Sequence, residues 1–181
     1  MYTVRTVRTW LRSAALSLSV LAAASCTDAP AAGGITAPEG ALASNSSGPT
    51  PLECPVDSTV SASGLVGPLG GVVGVGGHQL VIPPLAVLLP TQFTVTVPAS
   101  QYVRVDVTAG NGQHFQFRKP VTLTLSYARC TRSDIDKENL RIYYVDDNNA
   151  ILEDLGGTDD KNARTVTTGT DHLSGYLIGE G

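Results

Sequence analysis

Four short runs of the chain, FTVTV, YVRVDV, VTLTLSY and LRIYYV, alternate apolar and polar side chains with a period of two or close to it, and that period constrains the fold more than any other feature. In an extended strand successive side chains point to opposite faces, so Phe93, Val95 and Val97 share one face while Thr94 and Thr96 share the other. The same reading puts Val103, Val105 and Val107 opposite Arg104 and Asp106, and Val121, Leu123, Leu125 and Tyr127 opposite Thr122, Thr124 and Ser126. A register slip of one residue would turn every apolar side chain to solvent, so pairing is strongly specified. Pro98 stops one run, the glycines of GGVVGVGGHQL and the pair Asn111-Gly112 mark turns, and DDNNA reads as the hairpin turn between LRIYYV and ILEDL. Short half-polar strands bury one face each, and stacking two antiparallel sheets hides those faces. The fold class predicted is therefore all-β, an antiparallel β-sandwich over residues 56–181. TRSDIDKENL, with Thr131 or Ser133 as a cap, is the one helical candidate and predicts a single turn or less.

The segment ahead of these strands reads differently. MYTVRTVRTWLR carries Arg5, Arg8 and Arg12 with no acid, and SAALSLSVLAAAS follows; the pair reads as a signal peptide over residues 1–25. That apolar run falls short of the roughly 20 residues a membrane-spanning helix needs. Ala23, Ala24 and Ser25 lead into Cys26 in the manner of a bacterial lipoprotein, whose cysteine is acylated and becomes the new N-terminus; ordinary cleavage after small residues is the alternative. Thr27 rather than Asp follows Cys26, which favours the outer membrane or cell surface for an envelope lipoprotein. The Gly, Pro, Ala and Ser tract that follows makes residues 26–55 a flexible tether.

Removal of the signal leaves 9 Lys and Arg against 16 Asp and Glu, a net charge of −7. With no basic cluster, nucleic acid is not an implied partner. If Cys26 is acylated, Cys54 and Cys130 remain as an even pair, which in an exported chain predicts a disulfide, with two free thiols as the alternative. Neither has a second ligand at zinc spacing. Partners expected are therefore a membrane, through the lipid, and an envelope or extracellular protein.

The stretch DHLSGYLIG raises the question of hydrolytic chemistry, since Asp171, His172 and Ser174 are the residue types of a triad. In an extended strand Asp171 and His172 point to opposite faces, while His172 and Ser174 share one face about 6–7 Å apart, and strand neighbours do not supply the triad geometry that distant segments bring together. No nucleophile elbow surrounds Ser174. The expectation is a structural strand with Tyr176 and Ile178 buried, and no enzyme. GGVVGVGGHQL lacks the Lys-Ser or Lys-Thr of a phosphate loop, and no cofactor is implied. His78, His114 and His172 lie in separate segments, and Asp134, Asp136 and Glu138 lack the glycine and terminal Glu of a calcium loop; no metal site is expected. A carbohydrate-binding sandwich is a further alternative, which would need Tyr102, Tyr143 and Tyr144 exposed on one flat face.

From GGVVGVGGHQLVIPPLAVLLPTQFTVTV onward the chain resembles the ZU-five domain of ankyrins, netrin receptors and tight-junction scaffolds: a Gly-Gly, a strand ending in Ile-Pro, a turn, then a strand of Thr and Val. HFQFRKPVTLTLSY, LRIYYVDDNNAILEDL and HLSGYLIG resemble the family's later pieces in order, covering roughly Ser63 to Gly179. Leu85 stands where the family usually has Gly, and Leu173 where it has Phe. The resemblance implies a β-sandwich. It also implies an alternative activity, self-cleavage before Ser174 with His172 as base and Ser174 as nucleophile, since some animal relatives cut themselves at the matching serine.

Overall fold

The computed structural model describes residues 48–110, 115–131 and 135–181. Cys26, the signal peptide, most of the tether, the Asn111-Gly112 turn, His114, Ser133 and Asp134 lie outside the described residues. Among the described residues fourteen strands form two packed antiparallel sheets and a small two-stranded piece, so the fold is an all-β sandwich. In chain order they are β1 (Thr50–Pro51), β2 (Glu53–Val56), β3 (Val60–Val66), β4 (Gly71–Val75), β5 (His78–Ile82), β6 (Thr91–Val97) and β7 (Ser100–Tyr102). Then follow β8 (Arg104–Ala109), β9 (Gln116–Ser126), β10 (Leu140–Val145), β11 (Ile151–Gly156), β12 (Thr158–Asp160), β13 (Thr165–His172) and β14 (Gly175–Glu180). The larger sheet runs β11-β10-β14-β8-β6-β3 with β1 beside β14, the smaller β12-β13-β9-β5-β4, and β2 pairs β7. Ile135–Lys137 is a single 3-10 turn.

The alternating residues are inside: Phe93, Val95, Val97, Val103, Val105, Val107, Val121, Leu123, Leu125 and Tyr127 are all buried between the sheets. Gly76 and Gly77, with φ of 61° and 86°, close the β4–β5 hairpin, a backbone that glycine adopts without steric cost. Two strands begin before the boundary expected at residue 56. β1 and β2 fall in the stretch read as tether because Leu52 and Cys54 are buried and the backbone of Leu52 bonds to Ile178 and Val103. Cys54 and Cys130 form a disulfide with a Cα–Cα distance of 5.4 Å.

The expectation of one buried face per sheet is too simple for β14. It sits between β10 and β8 and is buried on both sides. Tyr176 and Ile178 enter the inter-sheet core, while Leu177, paired with Tyr143, joins Tyr143 and Val145 in a second buried cluster. Beside that cluster Arg104 is only 8% exposed, although it lies opposite the core valines of β8. Its Nε and Nη2 donate to Asp106 Oδ1 at 2.9 Å, and its Nη1 donates to Asp146 O at 3.0 Å and Asn149 Oδ1 at 2.6 Å. The β10–β11 turn is thereby tied down on β8. Gly175 permits this, because a Cβ there would come within 2.9 Å of Arg104 Nη2.

Candidate functional site

Residues 171–175 form the passage from one sheet to the other, with β13 in the smaller sheet and β14 in the larger. Pairing between β13 and β9 shifts register between Thr170 and His172, so that His172 faces Gln116. This irregularity overturns the expectation that Asp171 and His172 point apart: His172 Nδ1 lies 3.0 Å from Asp171 Oδ1. A bulge of this kind re-aims a side chain, and the bare residue pattern carries no mark of it. His172 also stands edge-on to Tyr144, with ring centroids 4.7 Å apart.

An acid and an imidazole are thus paired, but the hydroxyl is elsewhere. His172 lines a cavity of about 450 Å³ with Phe115, Gln116, Tyr144, Asp171 and Leu173. Ser174 lines another, of about 240 Å³, with Thr96, Asp106, Thr108 and Asp147 among its walls. No hydrogen bond joins His172 to Ser174 among the described residues. The Ser174 carbonyl accepts from Val107 N at 2.9 Å. The His172 carbonyl accepts hydroxyls from Thr170, at 3.2 Å, and from Tyr176. Burial pushes the Tyr176 phenol up to about 12, so at neutral pH it stays protonated and donates. Among the described non-glycine residues left-handed φ occurs at Leu85, Asn149 and Arg164, not at Leu173 or Ser174. Asp106, in the Ser174 cavity, has its pKa raised by burial, which outweighs the lowering by Arg104.

The remaining candidates are dispersed. The described residues contain no group of three or more His, Cys, Asp or Glu able to hold a metal. Beside Asp136 and Glu138 the local cation is a side chain: Lys161 Nζ donates to Ile135 O at 3.2 Å and Glu138 O at 2.6 Å and pairs with Asp159 at 2.7 Å. Tyr143 is buried in the outer cluster, whereas Tyr144 packs on the inter-sheet core with Tyr176, so the two tyrosines occupy opposite faces of β10 and do not form one platform.

His78 is a buried structural group. Its Nδ1 accepts from Ser126 N at 3.2 Å, and its pKa is lowered from 6.5 to about 4 by burial first and Arg129 second. Between those values the unfolded chain binds a proton that the folded one refuses. The stability held by the neutral ring is therefore complete above the unfolded pKa and is lost as pH falls through the folded one, a total of about 3 kcal/mol. Denaturant midpoints at pH 7 and pH 4 should accordingly fall less in His78→Gln than in the parent; equal falls would remove His78 as a source of acid sensitivity.

Strand periodicity does not account for one group of residues. Leu69 in the β3–β4 turn and Leu85, Leu88 and Leu89 in the β5–β6 loop are 90%, 54%, 50% and 75% exposed. Their signal was available as leucines in the turn segments GPLG and PPLAVLLP, where no strand face needs them. A comparison with protein-family models and with curated proteins found no match to this chain.

Proposed function

We propose that the chain is a non-catalytic display or interaction module, a ZU-five-like sandwich held on a bacterial envelope by lipid on Cys26. The observation that carries this reading is the Cys54–Cys130 disulfide, because such bonds form and persist in oxidising compartments outside the cytosol. The arginine-led apolar segment of residues 1–25 and the small residues before Cys26 supply the route. The left-handed φ of 66° at Leu85 supports the resemblance to the ZU-five family, since that is the conformation glycine favours and glycine is the family's usual residue there. The separation of His172 and Ser174 into different cavities favours binding over self-processing, because a base must reach the proton it removes. The partner on this reading is an envelope or extracellular protein, or the membrane itself.

The test is metabolic labelling with a tagged fatty acid. Label should enter the wild-type chain and be absent from Cys26→Ala, which should be released from the membrane fraction. Equal labelling of both proteins would remove the anchor from the reading.

A further inference from the structure

The leucine-bearing end of the sandwich is fastened by buried residues and backbone hydrogen bonds. Ala86 and Val87 of the β5–β6 loop are buried and hold it down, while Leu85, Leu88 and Leu89 face outward. Leu85 N donates to Pro68 O at 2.9 Å, joining this loop to the β3–β4 turn, and Arg118 N donates to Ala86 O at 3.1 Å, joining it to β9. Lys119 Nζ donates to Pro84 O at 3.2 Å. Leucine at a left-handed φ is sterically disfavoured, and the loop keeps Leu85 there with its side chain more than half exposed.

The segments that carry these leucines contain no acid, although Asp171 lies beside the same stretch of β9. From Asp57 to Asp106 the chain carries no acidic residue, and β3, the β3–β4 turn and the β5–β6 loop all come from that stretch. The cations beside them, Arg118 and Lys119, are exposed and share a hollow with Leu85 and Leu88. An acidic protein is least repelled by an anionic surface where its acids are fewest and cations are exposed.

We propose that this end seats on an anionic lipid surface, with Leu69, Leu85, Leu88 and Leu89 entering the acyl boundary and Arg118 and Lys119 among the headgroup phosphates. The leucines are carried by a turn and a loop at the strand ends, and a fluid interface accommodates side chains placed at uneven heights. A second copy meeting the same end would set Arg118 and Lys119 against their own counterparts, an opposition of like charges. β1 enters beside Glu180, at the end of the sandwich away from the leucines. The stretch from Cys26 to Gly48 can span up to about 75 Å when extended, against about 36 Å for an eleven-residue strand such as β9. A lipid on Cys26 and seated leucines are therefore compatible in one molecule. The inference rests on the export reading only for where a membrane is met, and an exported full chain carrying Cys26→Ala tests it without any lipid.

That protein should co-sediment with phosphatidylglycerol vesicles, lose binding as salt is raised, and itself stay in the supernatant when phosphatidylcholine vesicles are sedimented. Leu69→Asp with Leu89→Asp should lower binding at least about tenfold, because aspartate neither enters the acyl boundary nor tolerates an anionic surface. Arg118→Glu with Lys119→Glu should do the same and serves as the second test if the leucine variant folds poorly. Leu152→Asp, at an exposed leucine on the opposite edge strand β11, should bind like the parent. Absence of parent binding, equal binding to both vesicle types, or undiminished binding by either pair variant overturns the proposal. So does a soluble oligomer that the leucine variant abolishes, which would make a second copy the occupant.

Discussion

Replacing Cys54 and Cys130 together by alanine should lower the free energy of unfolding by about 4–5 kcal/mol, the chain-entropy value for a cross-link closing a loop of this size. The sequence separation is 76, so the bridge restrains a large part of the described chain in the unfolded ensemble. In the native state it fastens β2 to the segment after β9, and Arg129 Nη2 donates to the Cys54 carbonyl at 2.9 Å across the same junction. Both cysteines are buried, so alanine also leaves two small vacancies. Urea titration of oxidised wild type and the double variant measures the difference. A larger denaturant slope in the variant is expected as well, because its unfolded chain is free to expand. A gap under about 1 kcal/mol would show that the unfolded chain is compact without the bridge.

Tyr176→Ala should destabilise the domain by about 3–5 kcal/mol, whereas His172→Ala should cost under about 1 kcal/mol. Tyr176 is fully buried between the sheets, and the cavity left by its ring would be lined by a core with little freedom to collapse. Tyr176→Phe isolates the hydroxyl. It should cost about 1 kcal/mol, the hydrogen bond to the His172 carbonyl, if the crossover at residues 171–175 is held by that contact. His172 is one-third exposed and its partner Asp171 more than half, so their pairing is screened and contributes little. If His172→Ala proved as damaging as Tyr176→Ala, the crossover would depend on the imidazole instead of the tyrosine.

These two positions show why the candidate site was less legible than the fold. Tyr176 and Ile178 belong to a period-two pattern that places them inside whatever their neighbours do. The Asp171–His172 contact depends on a register shift against β9, and Leu177 is buried because β10 supplies Tyr143 and Val145 on the outer face. A residue pattern cannot report contacts that exist only once a neighbouring strand is in place. Arg104 belongs to the same class: by alternation it sits opposite the core, yet the β10–β11 turn folds over it and its guanidinium meets Asp106, Asp146 and Asn149.

The amino-acid sequence by itself determined the all-β class, the inward face of β6, β8 and β9, and the hairpins at Gly76-Gly77 and at DDNNA, because side-chain period and turn chemistry are local properties; it left Cys54 and Cys130 as a pair or as two free thiols, and the fold brought them together. Only the tertiary structure decided that β1 and β2 join the sandwich, that β14 is buried on both faces, that His172 and Ser174 open into different cavities, and that Leu69, Leu85, Leu88 and Leu89 gather at one end. The physical reason is that burial on a second face, a register shift and the meeting of two loops are set by packing between segments distant in the chain, and no alternation within one segment encodes them.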